Sequence, residues 1–504
     1  MRAGAARAWA LLTSPRATWW LVGAVIAVGT LIRIPQLGHG LAEAYAFRQT
    51  QTAFVAREFA IHGIDLMHTP LPVFGPGADV PMEFPLWQGI AAVLMMAGLP
   101  ADVAVRVLAL VSFQLCAVLL ALLVRRWHGS ATAVVATVLL QFLPFGLLWG
   151  AASLIDFFSV ALALLMVLGI DAWFRDRHVG WLVAGAVGAV LAFLVKVTTV
   201  PSWGLLLVVS LVLMVRERGW AGSWRRLLLG AVGPILGFGA ALAWTAYADG
   251  VKRADPATAF LTSSELRGWN FGTLAQRLDA DGYLTILERI ASEIAGPALF
   301  GLLLAVAAAI FQPRFADRLR TLGWLLVAVA APLVFFNLYV VHSYYLIAVY
   351  PAIVAAMAVG SVWLLRILPV RRWQRAALAG VAAVALFGGT FLSPAGHSDV
   401  AQWAIGNPRP SVSSLLLDQT EPDDLVVMIG CDWDPSFLYY GERAGFMFRG
   451  SDAGDTWSRL RIEDYSYLFD CQVDRLDPAD FLPAGTTAEP LESHGFFRLV
   501  HAAR

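Results

Sequence analysis

Residues 39–88 read HGLAEAYAFRQTQTAFVAREFAIHGIDLMHTPLPVFGPGADVPMEFPLWQ. This stretch lies between two hydrophobic segments and is too polar to be either of them. Phe47, Thr50, Phe54 and Phe59 recur at roughly helical spacing, which predicts an amphipathic helix over Phe47 to Ile61. A Pro- and Gly-rich turn region follows from Pro70 to Pro81, and the stretch closes on Met82-Glu83-Phe84-Pro85-Leu86. It therefore sets Glu43, Arg48, Gln49, Gln51, Glu58, Asp79 and Glu83 beside apolar runs, where charge is costly unless it faces water or a partner. A solvated loop carrying one helix on a bilayer surface is the bland alternative. The length of the loop in so apolar a chain favours an active-site loop.

The composition explains why a membrane is invoked. The chain has 504 residues, is 59% hydrophobic and 14% charged, with a formal net charge of zero and a mean hydropathy of +0.67. A soluble chain would carry about a quarter charged residues. Apolar runs close to the ~20 residues that cross a bilayer recur throughout. The neutral total hides segregation. Arginines crowd short hydrophilic breaks, while about half of the acidic residues follow Ser393. No basic face interleaved with aromatics points to nucleic acid.

The first span is expected over Trp19 to Ile34, following Arg2, Arg7 and Arg16, and reads as uncleaved. Phe84 to Gly98 is apolar but short, and reads as a re-entrant or interfacial helix. Further spans are expected at about 103–124, 130–150, 154–173, 180–198, 202–215, 227–247, 292–311, 321–340, 344–365 and 374–392, giving about eleven. Alternate breaks hold Arg125 and Arg126; Arg175 and Arg177; Arg216, Arg218, Arg225 and Arg226; Arg314, Arg318 and Arg320; and Arg366, Arg371, Arg372 and Arg375. That alternation puts these breaks and the N-terminus in the cytoplasm. The 39–88 loop, a second large loop at 248–291 and the C-terminal region then share the outer side. The expected domains are a membrane domain over 1–393 and a small α/β domain over 394–504. In the latter, Leu425 to Ile429, Tyr465 to Phe469 and Phe496 to Val500 read as strands, and Ser413 to Leu417 and Thr456 to Ile462 as helices. Cys116 sits in an apolar run. Cys431 and Cys471 lie in the polar C-terminal region and could pair if that region is outside the cell; spacing alone leaves this open.

The residues able to carry chemistry sit at the outer ends of spans. Lysine occurs only at Lys196 and Lys252. Lys196 either snorkels to the headgroups or serves as a compact cation for a phosphate. Asp156 either complements a helix dipole or belongs to a site. His342-Ser343-Tyr344-Tyr345 opens a later span, where aromatics are ordinary interface anchors; His342 and Tyr345 gain interest only by sharing a side with Lys196 and Arg48. In the second loop, Ser263, Ser264, Glu265, Arg267, Trp269 and Asn270 could bind a sugar, or form a surface helix with an interfacial Trp. Carboxylates with cations at a membrane surface suit a glycosyl phosphate. The carboxylate takes a proton from an acceptor hydroxyl and the cations neutralise the departing phosphate.

Four motifs carry a resemblance: Phe47-Arg48-Gln49-Thr50-Gln51-Thr52-Ala53; Glu83-Phe84-Pro85-Leu86; Leu261-Thr262-Ser263 with Trp269-Asn270-Phe271-Gly272; and His342-Ser343-Tyr344-Tyr345. In this order they resemble bacterial members of the superfamily of dolichyl-phosphate-mannose–protein mannosyltransferases and lipid A aminoarabinose transferases, over most of residues 17–395. Asp432-Trp433, Tyr439-Tyr440 and Glu442-Arg443 look like one bacterial subgroup. The resemblance implies a GT-C-type polytopic α-helical fold and a polyprenyl-phosphate-sugar donor. The acceptor would be a glycan, lipid or protein at the outer face of the bacterial inner membrane. It also implies that Arg48 and Lys196, with His342 or Tyr345, handle the phosphate. Gln49, Gln51, Asp156, Glu265, Trp269 and Asn270 are candidate substrate contacts. Better-known members carry Asp-Glu in the first outer loop, and aligning their following helix with Ala56-Arg57-Glu58 puts Arg48 and Gln49 there. The base must then come from elsewhere, with Glu83 and, second, Glu43 as candidates, or the chain is inactive. Some relatives use a divalent metal and others do not, and the sequence holds no ligand cluster. A transporter or lipid flippase, and a non-catalytic glycan-binding member of the same fold, are the rivals.

Overall fold

A computed structural model describes residues 15–296, 299–448, 460–471, 482, 484–491 and 495–501. The chain forms two compact units. The first comprises Met1–Gly38, Arg106–Thr245 and Leu266–Ile405, and the second His39–Val105, Ala246–Glu265 and Gly406–Arg504.

The first unit is helical. Among the described residues of the whole chain, five helices are long and apolar enough to cross a membrane: Arg16–Gly38, Ala101–His128, Asp156–Asp176, Val200–Ala254 and Tyr350–Ile367. A sixth counts if the bent pair Ala280–Ile294 and Leu299–Phe311 is one span. This is a multi-pass membrane protein, but helix length does not establish the expected eleven crossings. Two parts of the difference have a cause in the sequence. Two expected spans run together in Val200–Ala254, bent at Gly219 with φ 71°. The expected 130–150 span is cut at Pro144 into Ser130–Phe142 and Pro144–Trp149, because proline offers no N–H to the preceding turn.

That cut frees backbone carbonyls inside an apolar body, and buried side chains satisfy them. The Tyr350 hydroxyl donates to the Leu139 and Leu140 carbonyls at 3.1 and 3.0 Å. Arg33 is fully buried. Its guanidinium donates to Gly29 O (2.6 Å), Gln141 O (2.7 Å), Gln141 Oε1 (3.1 Å) and Gly146 O (2.8 Å). It also lies over the Phe113 ring. Gly150 approaches it so closely that a Cβ there would stand 2.5 Å from Arg33 Nε. Elsewhere, the Asp156–Asp176 and Val179–Val195 helices meet at Gly169 and Gly185. Small residues let membrane helices approach in this way; a Cβ on Gly169 would lie 2.5 Å from Gly185 N.

The second unit holds the helices Ala46–His62 and Leu86–Met96. The latter has 11 residues, about half of what crosses a bilayer. A five-stranded sheet completes the unit: β1 Val426–Ile429, β2 Gly445–Met447, β3 Tyr467–Asp470, β4 Thr486–Pro490 and β5 Phe496–His501, in the order β2-β1-β3-β5-β4. β1 runs parallel to β2 and β3, and β5 antiparallel to β3 and β4. Three of these strands and the Ser411–Gln419 helix stand where the pattern predicts them. β2 and β4 carried no strand signal. Most of the helix expected over Thr456–Ile462 lies outside the described residues. Val427, Ile429, Phe446, Leu468 and Leu499 share the core.

Edge strand β2 is covered by the first loop. Gly75 N donates to Gly445 O at 2.8 Å, Gly445 N to Pro72 O at 2.9 Å and Met447 N to Val73 O at 2.9 Å. An otherwise open edge is thereby paired. The short Ser436–Gly441 helix docks nearby. Tyr439 Oη donates to Asp102 at 2.6 Å, and Arg57 lies over the Phe54 and Tyr439 rings.

A disulfide joins Cys431 and Cys471, with Cα atoms 5.3 Å apart, just beyond β1 and β3. The sequence separation is 40, so closing this loop removes about 4 kcal/mol of unfolded-chain entropy at room temperature. Thiol reduction of the intact protein should therefore lower the denaturant midpoint read from tryptophan fluorescence. An unchanged midpoint would show that the bridge carries no stability.

Candidate active site

The candidate residues fall into two clusters, one in each unit. In the second unit, the Ala46–His62 helix sets Arg48 and Gln51 one turn apart, on one face. Arg48 Nη1 donates to Gln51 Oε1 at 2.6 Å, and Nη2 forms an ion pair with Glu83 Oε1. The Arg48 and Glu83 side chains keep 17% and 25% of their surface exposed. Both are therefore open to solvent. Glu43 is only 2% exposed and has no such access. Gln49 is also buried, and its Nε2 donates to Ala44 O at 3.0 Å. That bond holds the turn entering the helix, where Tyr45 is left-handed at φ 56°.

A second cation acts on Glu83. The charge of Lys252 lies within electrostatic reach of this carboxylate. Lys252 Nζ donates to Leu261 O at 2.7 Å and pairs with Asp249 at 3.3 Å. Asp249 accepts from Ser263 N at 2.9 Å and also from Ser263 Oγ. Ser263, read as a sugar contact, is thus spent on tying the second loop to the end of the Val200–Ala254 helix. Glu265, from the same group, is exposed. The chemistry around Lys252 was not read from the sequence; its signal was the rarity of lysine.

Aromatic rings flank this cluster. Trp433 follows β1, two residues past the disulfide. It meets Phe47 edge-on with centroids 4.5 Å apart, Phe74 at 5.5 Å and Phe260 at 6.2 Å.

In the first unit, Lys196 ends the Val179–Val195 helix and Asp156 starts the Asp156–Asp176 helix. Lys196 Nζ donates to Asp156 Oδ1 at 2.7 Å, with both side chains at 5% exposure or less. The lone lysine is therefore not a free cation. It is a buried, compensated one, a state that requires close geometry to offset desolvation. Its ammonium also lies over the Tyr345 and Tyr344 rings at 5.1 and 5.9 Å, a cation–π arrangement. The rings continue outward: Tyr344 stacks on Tyr345 at 4.4 Å, His342 on Tyr344 at 5.6 Å, and Trp269 lies against His342 at 5.7 Å. Trp269 is 43% exposed. Its carbonyl accepts from Asn337, and Asn270 is half-buried beside it. Burial, and then the Arg289 guanidinium, lower the His342 imidazole below its ordinary value. That shift favours the neutral ring at neutral pH.

No group of three or more His, Cys, Asp or Glu side chains placed to hold a metal occurs among the described residues. The arrangement offers an accessible carboxylate clasped by a guanidinium in one unit. In the other it offers a compensated lysine roofed by tyrosines.

No protein-family model matches the sequence, and no curated protein matches it. Solved structures do match. ArnT from Cupriavidus metallidurans bound to undecaprenyl phosphate superposes with a TM-score of 0.60 at 17% identity, covering 96% of this chain and 98% of that one. The oligosaccharyltransferase AglB from Archaeoglobus fulgidus, solved with an inhibitory peptide and a dolichol phosphate, gives 0.51 at 13%, covering 91% and 70%. The mycobacterial arabinofuranosyltransferase AftD gives 0.50 at 14%, covering 97% and 40%. The chain has the fold of GT-C membrane glycosyltransferases. Within that fold it is similar in extent to the aminoarabinose transferase ArnT, end to end.

Proposed function

We propose that this protein is a membrane glycosyltransferase. It moves a hexosyl or pentosyl group from a polyprenyl-phosphate carrier to a glycan, lipid or protein acceptor at the outer face of a bacterial inner membrane. The observation that carries the reading is the solvent-accessible Glu83 carboxylate clasped by Arg48, on a chain with the GT-C fold. ArnT holds undecaprenyl phosphate and AglB a dolichol phosphate, which supports a donor of this kind. Glu83 takes the proton from the acceptor hydroxyl as that oxygen attacks the anomeric carbon. The bond from that carbon to the phosphate oxygen breaks, and the polyprenyl phosphate leaves as an anion. Arg48 in one unit, and Lys196 with His342 and Tyr345 in the other, are the candidate groups for meeting its charge. One base and a stabilised leaving group make an inverting displacement.

The same pair weighs against a non-catalytic glycan-binding role, since the lost Asp-Glu is replaced by a carboxylate already in contact with Arg48.

Donor recognition is testable without turnover. Lys196→Met alone leaves Asp156 buried and unpaired, which is costly in itself. The neutral double variant Lys196→Met/Asp156→Asn removes the ammonium without that penalty. It should bind undecaprenyl phosphate about tenfold more weakly than the wild type, measured by native mass spectrometry. Retention of the uncharged polyprenol as strongly as the phosphate by the wild type would remove the phosphate reading.

A further inference from the structure

A cavity lies in the first unit, at the arginine-bearing ends of its helices. It has a volume of about 410 Å³ and is walled by Leu122, Arg125, Arg126, Ser130, Leu168 and Trp181, among others. All of them belong to the first unit. Two features set its chemistry.

The first is charge. Arg126 pairs with Asp171 at 2.8 Å and with Asp176 at 3.0 Å, and Arg175 also pairs with Asp171. Arg125 lies over the Trp19 ring at 4.9 Å, and no carboxylate pairs with it among the described residues. Three guanidiniums thus face two carboxylates, and the surplus charge is on Arg125. The Ser130–Phe142 helix also begins here. Its cap is Gly129, which supplies no side-chain hydrogen bond, and its first turn holds no acidic residue. Its leading N–H groups and the Ser130 hydroxyl add to an anion-favouring wall.

The second feature is the apolar remainder. Leu122, Leu168 and Trp181 form the other wall, and Trp181 is 38% exposed. Trp20, on the same helix as Trp19, is 82% exposed. Exposed tryptophans on apolar helices mark the headgroup level. A free inorganic phosphate needs no such wall, whereas a glycerophospholipid places its phosphate and its acyl chains against these two surfaces together.

We propose that this cavity binds the headgroup of an anionic phospholipid. Arg125 and the start of the Ser130–Phe142 helix hold the phosphate, and Leu122, Leu168 and Trp181 cover the glycerol and first methylenes. None of the glycosyl-transfer residues lines this cavity, and the proposal does not depend on that reading.

The test uses the full chain in detergent, with native mass spectrometry and thermal shift as readouts. The probes are cardiolipin, phosphatidylglycerol, phosphatidylethanolamine and inorganic phosphate. Two variants are compared, Arg125→Ala, which removes the surplus charge, and Leu168→Trp, which fills the cavity and leaves Arg125 in place. The wild type should bind the two anionic lipids in preference to phosphatidylethanolamine. Arg125→Ala should lose about fivefold in that binding, the weight of one arginine at an anionic surface, and Leu168→Trp should weaken it by occupying the cavity. If Arg125→Ala does not fold, Leu168→Trp carries the test. Equal binding by a folded variant, equal binding of phosphatidylethanolamine, or the same stabilisation by inorganic phosphate alone would each overturn the proposal.

Discussion

Glu83→Gln should lower sugar transfer at least about 100-fold, the lower end of what a positioned general base contributes. Binding of the polyprenyl phosphate should stay within about threefold, because glutamine keeps the shape of the side chain and an oxygen for Arg48 while losing only the proton acceptor. The geometry separates Glu83 from its rival. Glu83 lies against Arg48 with a quarter of its side chain exposed, whereas Glu43 is 2% exposed. A base must come within hydrogen-bond reach of the acceptor hydroxyl, and Glu83 is the more exposed of the two. Initial rates with saturating donor decide the matter. A Glu83→Gln enzyme that turns over at the wild-type rate would discard the assignment. A loss confined to Glu43→Gln would move the base there.

The largest structural effect is expected at Arg33. Arg33→Met should cost several kcal/mol, since each buried acceptor left without a donor costs about 1–3 kcal/mol. The guanidinium bonds three carbonyls and one side-chain amide oxygen around the Pro144 break, and methionine leaves all four without this donor in an apolar body. Arg33→Lys should fall between the two, since a single ammonium cannot reach acceptors spread over a planar fork. Melting of the detergent-solubilised protein, followed by tryptophan fluorescence, should show a clear drop for Arg33→Met and a smaller one for Arg33→Lys. A melting temperature unchanged in Arg33→Met would mean that the freed carbonyls find water, and that the break is not held from within.

The parts of the fold with a local signal were legible. Hydrophobic spacing from Phe47 onward anticipates the Ala46–His62 helix, and short β-branched and aromatic runs anticipate β1, β3 and β5. The GT-C fold followed from ordered motifs rather than from periodicity. What stayed hidden depends on partners far away in sequence. The pairing of Pro72–Gly75 with β2 leaves no trace in either segment, since backbone ladders need no particular side chain. Arg33 stands at the end of an apolar run, where an arginine ordinarily marks a membrane border. Its burial is visible only once the carbonyls freed at Pro144 are in view. At the candidate site, Arg48 with Glu83 and Lys196 with Asp156 emerged as pairs from residues singled out one by one. Gln49 and Ser263 have the right chemistry for a ligand, and their bonds to Ala44 O and Asp249 also help to hold the loops. Polar side chains near a site serve both ends, and composition does not distinguish them.

The central claim is glycosyl transfer from a polyprenyl-phosphate carrier, and its most direct test is turnover. Purified protein in lipid is incubated with a panel of radiolabelled polyprenyl-phosphate sugars and candidate acceptors, with and without divalent metal. The account predicts that label leaves one carrier and appears on an acceptor, and that Glu83→Gln suppresses this transfer. A carrier that binds but never releases its sugar to any acceptor would contradict the enzymatic claim and leave a binding protein built on the same fold.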